Sequence, residues 1–321
     1  MLSNADIFVS AELPFKSNGI VGVSPVMKTL DCQIATAARS DLTVLISGES
    51  GTGKELVARA IHNSSARSEG PFISFNCGAL TESLLESELF GYERGAFTGA
   101  LTSKLGKMDL AQGGSVVLDE IANVDLRVQA KLLHVVEAKE YFRLGGSAPI
   151  ALNCRIIALS STSLARAVEL RTFRKDLFFR LNLITVTIPP LRERTNEIPQ
   201  IANALLSQLG RKYSTSAHLD RHSETVLINY DFPGNIRELR NGLERAMLMG
   251  TSGTITPDCL PTDWLIGRKS AGSRMQSLED LERSYIAEVL KYTHGRKIKA
   301  ATILGISRKT LLEKRKKYGL A

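Results

Sequence analysis

Gly48-Glu49-Ser50-Gly51-Thr52-Gly53-Lys54 follows a short apolar run and precedes a helical pattern, and it satisfies G-x-x-x-x-G-K. Glycines let a backbone curl until its N–H groups converge on one point. The start of a helix adds partial positive charge there, and Lys54 adds a full one. A polyphosphate is the group that such a cradle suits. The residue after the lysine, commonly a Ser or Thr that ligates magnesium, is here Glu55. A second segment, Gly113-Gly114-Ser115-Val116-Val117-Leu118-Asp119-Glu120, reads as a strand that ends in two carboxylates. Two acids at a strand end are ordinary in a solvated turn. At the C-terminal edge of a parallel sheet that also carries a phosphate loop, they point to nucleotide hydrolysis. Asp119 would hold Mg2+ and Glu120 would polarise the attacking water.

Those residues need strands that end at one edge. Thr43-Val44-Leu45-Ile46, Phe72-Ile73-Ser74-Phe75, Ser115-Val116-Val117-Leu118, Arg155-Ile156-Ile157-Ala158-Leu159 and Ile184-Thr185-Val186-Thr187-Ile188 all read as buried strands. Helical stretches lie between them, among them Lys54 to His62 and Val128 to Ala138. Alternating strands and helices with unbroken apolar strands imply an α/β body, with a mostly parallel sheet covered on both faces. Pro189-Pro190 stops the alternation. After it only helical periods are expected: Pro199 to Leu209, Ser223 to Tyr230 and Asn235 to Leu248. The expected organisation is therefore a short segment 1–18, an α/β subdomain 19–190 and a helical lid 191–266. A Gly/Ser/Lys-rich linker 267–277 and a helical domain 278–321 complete it.

The chain has 321 residues, 43% hydrophobic and 23% charged, enough for two domains with packed cores. Its apolar runs are strand-sized, so no transmembrane helix and no membrane role is expected. The first thirty residues lack a basic start followed by an apolar run, so no secretory signal is read there. Cys32, Cys77, Cys154 and Cys259 are scattered, without a metal-binding or disulfide spacing, which fits a cytoplasmic protein. The formal net charge is +8. From Gly267 onward there are 14 Lys and Arg against 5 Asp and Glu; the preceding 266 residues hold 27 against 28. The basicity belongs to the tail, and a neutral body with a basic tail suggests a nucleic-acid partner.

Between the two nucleotide segments stands Glu88-Leu89-Phe90-Gly91, then the hexapeptide Gly95-Ala96-Phe97-Thr98-Gly99-Ala100. Its two glycines permit a tight reversal with Phe97 and Thr98 at the tip, a contact surface if it stays exposed. In this order the segments resemble the sigma-54-dependent transcription activators, the bacterial enhancer-binding proteins, which are AAA+ ATPases. The resemblance continues through Phe173-Arg174-Lys175-Asp176-Leu177-Phe178-Phe179-Arg180-Leu181-Asn182, Pro189-Pro190-Leu191-Arg192-Glu193-Arg194 and Phe232-Pro233-Gly234-Asn235-Ile236-Arg237-Glu238-Leu239. It covers roughly Ile20 to Trp264.

The resemblance implies roles residue by residue. Gly48 to Lys54 would hold the phosphates of ATP, with Glu55 the usual family residue. Asn76 matches an asparagine that restrains the catalytic glutamate. Arg174 and Arg180 match arginine fingers that reach into a neighbouring subunit's site, and Arg237 matches the sensor arginine of the lid. The hexapeptide would touch sigma-54. The implied assembly is a ring, a hexamer or a mixed ring with a related subunit. Two departures stand out. Ser160-Ser161 occupies the place of the family's Thr-Asn phosphate sensor, and Phe232 replaces the usual Trp. Only about 18 residues precede the ATPase, so no N-terminal regulatory domain is expected and control would come from a protein in trans. Two rival readings remain: a DNA-binding relative with weak or lost ATPase output, favoured by Ser161, and another kind of AAA+ remodeller.

At the other end, Leu278, Leu281, Tyr285 and Val289 are spaced to form one apolar stripe on a helix. Lys297 to Leu304 reads as a second helix, Gly305 as a turn, and Ser307 as the cap of a third helix running to about Lys317. Helix, short glycine turn, helix is a helix-turn-helix, and this segment also resembles the family's Fis-type DNA-binding end. Arg308, Lys309 and Thr310 would meet bases of upstream activating DNA. Lys314, Arg315, Lys316 and Lys317 would lie near phosphates. The whole implies an ATP-driven activator that remodels a sigma-54 RNA polymerase–promoter complex.

Overall fold

A computed structural model describes residues 24–250, 253–266, 278–293 and 296–319. The expected segment 1–18 and the 267–277 linker lie outside those residues. The chain divides into two compact units, Met1–Arg268 and Lys269–Ala321.

The first unit opens with α1 (Pro25–Ala38), where Ser24 Oγ accepts from the Met27 amide and proline occupies the first turn. Then come β1 (Val44–Ser47), α2 (Lys54–Asn63), β2 (Phe72–Asn76), α3 (Glu82–Phe90), α4 (Lys107–Leu110), β3 (Ser115–Asp119) and α5 (Leu126–Ala138). A hairpin of β4 (Glu140–Tyr141) and β5 (Ile150–Ala151) precedes β6 (Arg155–Ser160), α6 (Leu164–Glu169), α7 (Lys175–Leu181) and β7 (Ile184–Thr187). The main sheet is parallel throughout, in the order β2-β3-β6-β1-β7. Side chains alternate between two cores. Leu45, Val116, Leu118, Ile156 and Ala158 face α3, α5 and α7, while Ile46, Val117, Ile157 and Leu159 face α1 and α2. Burial on both faces is why these strands read as unbroken apolar runs.

The lid consists of α8 (Ile198–Tyr213), β8 (His218–Leu219), α9 (Arg221–Ile228), α10 (Asn235–Met249), β9 (Thr254–Ile255) and α11 (Thr262–Leu265). It has its own core, with Leu191, Ile201, Leu206, Phe232, Leu239, Leu243 and Trp264 at its centre. The expectation of helices alone is corrected by β8 and β9, which pair in parallel through His218–Thr254 and Leu219–Ile255. Strands of two residues carry no readable period. Helix α8 runs past Leu209 because its last turn is held to α10. Lys212 Nζ and Tyr213 OH both donate to Glu244 Oε1, at 2.9 and 2.5 Å.

The second unit comprises α12 (Leu278–Tyr292), α13 (Lys297–Ile303) and α14 (Arg308–Tyr318) around Ile286, Val289, Leu290, Ala300, Ala301, Leu311 and Tyr318. Here the expected stripe is corrected. Val289 is buried, but Tyr285 is 56% exposed, and the side chains of Leu278 and Leu281 lie outside the description. The buried face steps from Ile286 to Val289 and Leu290, one residue and so about 100° away from Tyr285. Among the described residues no helix is long and apolar enough to cross a membrane.

Candidate active site

The phosphate loop leaves the end of β1 with Gly48 N donating to the Ser160 carbonyl, and enters α2 at Lys54. Gly51 and Gly53 have φ of +79° and +98°. At Gly51 a side chain is excluded twice, because a Cβ there would lie 2.2 Å from the Gly234 carbonyl oxygen. Thr52 Oγ1 closes the loop on the Glu49 carbonyl at 2.8 Å. Lys54 Nζ folds over it and donates to the Gly48 and Glu49 carbonyls at 2.9 and 3.3 Å. Burial pushes the Lys54 ammonium below its ordinary pKa, with the charges of Glu120 and Asp119 opposing. A buried ammonium at the N-terminus of a helix is a strong anion site. Glu55 is exposed and pairs with Arg59 at 3.8 Å.

Asp119 ends β3, and its Oδ1 accepts from the Glu120 amide at 2.9 Å. Burial raises the Asp119 carboxyl above its ordinary value, the Glu120 amide opposes, and the Glu120 charge adds to the rise. Such a half-buried carboxylate is suited to a cation partner. Glu120 sits at φ +53°, in the left-handed region. Asn76 lies beside Asp119 in the sheet register; its Oδ1 accepts from the Gly78 amide at 2.9 Å, and its Nδ2 donates no hydrogen bond to Glu120. Glu120 Oε2 instead accepts from Ser161 Oγ at 2.5 Å. Sequence reasoning marked Ser161 as a departure and missed this contact.

The lid closes on the loop through polar groups that sequence reasoning also missed. Arg192 and Glu49 form a bidentate pair at 2.6 and 2.7 Å, which holds the Glu49 carboxyl below its usual range. Asn235 is fully buried at φ +52°. Its Nδ2 donates to the Ser50 carbonyl at 3.0 Å and to Glu49 Oε2 at 3.2 Å, while its Oδ1 accepts from the Leu191 amide at 2.8 Å. Arg237, expected here, donates from Nη1 to Ser50 Oγ at 2.8 Å and from its amide to the Gly51 carbonyl. Beside Thr52 and Gly53 a slot of about 130 Å3 opens between α1, α8 and α10, walled by Met27, Leu30, Leu56, Ile188 and Ile201. Arg194 lines it. Its Nε and Nη2 are buried and unpartnered, and burial lowers its pKa. An apolar slot with unpaired donors at the foot of a phosphate cradle fits a flat, polar-edged base.

Other expected residues face outward. Arg174 caps α7 and pairs with Asp176 at 2.7 Å, and Arg180 pairs with Glu137 at 2.7 Å; their side chains are 40% and 57% exposed. Among the described residues neither touches its own phosphate loop. The hexapeptide is a reversal closed by Gly95 N on the Ala100 carbonyl at 2.9 Å and Ala100 N on the Phe97 carbonyl at 3.0 Å. Gly95 and Gly99 have φ of +87° and +105°. The Phe97 ring stays half exposed and leans edge-on against Tyr92, 5.0 Å between centroids. Thr98 is exposed and Ala96 half-buried. The stem is tied at Tyr92 both to Lys104 and to Leu144 of the β4–β5 hairpin.

In the second unit, Ser307 Oγ accepts from the Thr310 amide at 3.1 Å and starts α14. Arg308, Lys309 and Lys316 are exposed, and Thr310 and Arg315 are half-buried. Lys314 and Lys317 are paired with Glu282 and Glu279 of α12. They brace the helical unit as well as adding charge to its surface.

Residues 20–187 match the sigma-54 interaction domain, residues 192–277 the AAA+ ATPase lid domain, and residues 277–318 the bacterial regulatory protein Fis family. The transcriptional regulatory protein ZraR of Salmonella typhimurium is 44% identical over 310 residues, spanning 95% of this chain and 70% of that protein. The regulatory protein AtoC of Escherichia coli K12 is 42% identical over 308 residues, 92% of this chain and 67% of that one. A crystal structure of NtrX from Brucella abortus in complex with ATP superposes with a TM-score of 0.73 at 32% identity, covering 94% of this chain and 70% of that one.

Proposed function

Because this chain belongs to the sigma-54 interaction family of AAA+ ATPases with a lid and a Fis-type DNA-binding end, we propose that it works as an ATP-driven ring that opens sigma-54 promoters. It binds and hydrolyses ATP. What supports the reading is that Lys54 and the lid residue Arg237 both bond the phosphate loop while the charges of Asp119 and Glu120 act on Lys54. The loop amides and Lys54 take the phosphates, and the slot beside Arg194 takes the base. Among the described residues no cluster of three metal-ligating side chains exists. Asp119 would therefore hold Mg2+ together with phosphate oxygens and water, as that ion prefers. Bound there, Mg2+ offsets charge on the phosphate oxygens. Water adds to the γ-phosphorus as its bond to the ADP oxygen breaks, and Glu120 takes the water proton.

Arg174 and Arg180 serve the neighbouring subunit's site, where a guanidinium offsets charge on the transferred phosphoryl group. A ring, a hexamer or a mixed ring with a related subunit, supplies that neighbour. The α14 end holds the ring at upstream DNA through Ser307, Arg308, Lys309, Thr310, Arg315 and Lys316. Phe97 and Thr98 carry the stroke to sigma-54. Such a protein works in the cytoplasm. Thr98→Ala and Phe97→Ala test the reading: ATP turnover stays within about threefold of wild type, and promoter opening by sigma-54 polymerase is lost. Normal promoter opening by both variants contradicts it. A wild-type turnover assay separates the proposal from a relative without ATPase output.

A further inference from the structure

Strands β3 and β6 run side by side in parallel, with Leu118 opposite Ala158, so both chains leave the sheet next to each other at its C-terminal edge. There the two serines diverge. Ser160 is buried, and its hydroxyl donates to the Thr162 carbonyl at 2.7 Å, inside its own turn. Ser161 is half-buried and donates across to Glu120 Oε2 at 2.5 Å. A carboxylate only accepts, so the hydroxyl is the donor, and the separation is that of a charge-assisted O–H···O bond, about 2.5–2.7 Å.

Other groups near Glu120 are engaged elsewhere. Lys54 Nζ donates to the Gly48 and Glu49 carbonyls. Asn76 takes the Gly78 amide on its Oδ1, and its Nδ2 makes no hydrogen bond to Glu120. Among the described residues Ser161 is the side chain that holds Glu120, and Oε1 of that carboxylate takes no hydrogen bond. The glutamate has three rotatable side-chain bonds and springs from a left-handed backbone. Without a tether it samples many directions, few of which face the phosphate loop.

Resting on the reading of Glu120 as the base, we infer that Ser161 is a positioning residue for hydrolysis: its hydroxyl fixes one oxygen of Glu120 so that the other, Oε1, receives the proton of the attacking water. A hydroxyl suffices for this, and the amide of an Asn is not required.

The test uses the full-length chain, with steady-state ATP turnover and equilibrium binding of a fluorescent ATP analogue. Ser161→Ala lowers kcat about tenfold or more, while KM for ATP and analogue affinity stay within about twofold of wild type. Ser161→Thr, which keeps the hydroxyl, recovers at least half of the rate. An unchanged or higher kcat in Ser161→Ala overturns the inference. So does a loss seen only in KM, or a Thr variant that folds and binds nucleotide yet turns over no faster than Ala. If Ser161→Ala does not fold, Ser161→Cys replaces it under the same criteria. Glu120→Gln separates the two levels. Turnover in that variant removes Glu120 as the base, whereas its loss beside a fully active Ser161→Ala removes Ser161 alone.

Discussion

The two sides of the nucleotide site are built differently. On the lid side, Asn235, Arg237 and the Arg192–Glu49 pair lock the phosphate loop through residues far apart in sequence, with Asn235 buried at a left-handed backbone position. On the outward side, the guanidinium groups of Arg174 and Arg180 pair with Asp176 and Glu137 and remain substantially exposed, and the Phe97 ring of the hexapeptide leans on Tyr92. The inner half is pre-formed within one subunit. The outer half is presented to something else. In the ring proposed above, a site divided in this way would hydrolyse ATP only when a neighbour completes it, which would link turnover to assembly.

The comparison breaks most completely at Lys54. Lys54→Ala removes the charge that faces the phosphates and abolishes nucleotide binding and turnover. Glu120→Gln binds ATP normally and does not hydrolyse it. Analogue binding and phosphate release distinguish the two, and equal turnover in Glu120→Gln and wild type contradicts the assignment.

A smaller effect sharpens the inner half. Asn235→Ala strands the Leu191 amide and places a Cβ-bearing residue without a compensating side chain in the left-handed region. The loss is about 3 kcal/mol, from an unsatisfied buried donor and backbone strain together. Asn235→Gly relieves the strain and leaves the donor stranded, so it lies between Ala and wild type in denaturant midpoint. A loss below about 1 kcal/mol for Ala means that the lid does not depend on this residue.

The smallest effect is electrostatic. Hydrogen bonding from Arg192 holds the Glu49 carboxyl below its ordinary value of 4.5. A depressed carboxyl contributes stability above its unfolded pKa and loses it as pH falls through the folded one. The gap in melting temperature between wild type and Glu49→Gln is therefore full at neutral pH and closes below about pH 4.5. Both partners are more than a third exposed, so water screens the pair and the gap corresponds to about 1 kcal/mol or less. A gap that does not change with pH assigns the effect to packing.

Legibility in the sequence follows the same division. The phosphate loop and the acid pair were readable because strand, loop and helix are contiguous, and local spacing alone places their groups. The parallel sheet was readable because both its faces are apolar. The contacts that complete the site were not. Ser161 meets Glu120 across 41 positions, Arg192 meets Glu49 across 143, and Asn235 meets Ser50 across 185. Nothing in local spacing encodes such meetings. Helix α12 shows a subtler limit: a stripe through Tyr285 and one through Ile286 fit the sequence equally well, and only packing against Ala300, Ala301 and Leu311 selects the second.

The most direct test of the divided site mixes two inactive proteins. Lys54→Ala retains its outward arginines and lacks a working phosphate loop; Arg174→Ala has the reverse defect. Each alone turns over no ATP. Mixed oligomers, verified by two distinguishable tags, contain interfaces that join an intact Arg174 to an intact loop, and turnover returns at those interfaces. Absence of turnover in verified mixed oligomers contradicts action between subunits and with it the divided site.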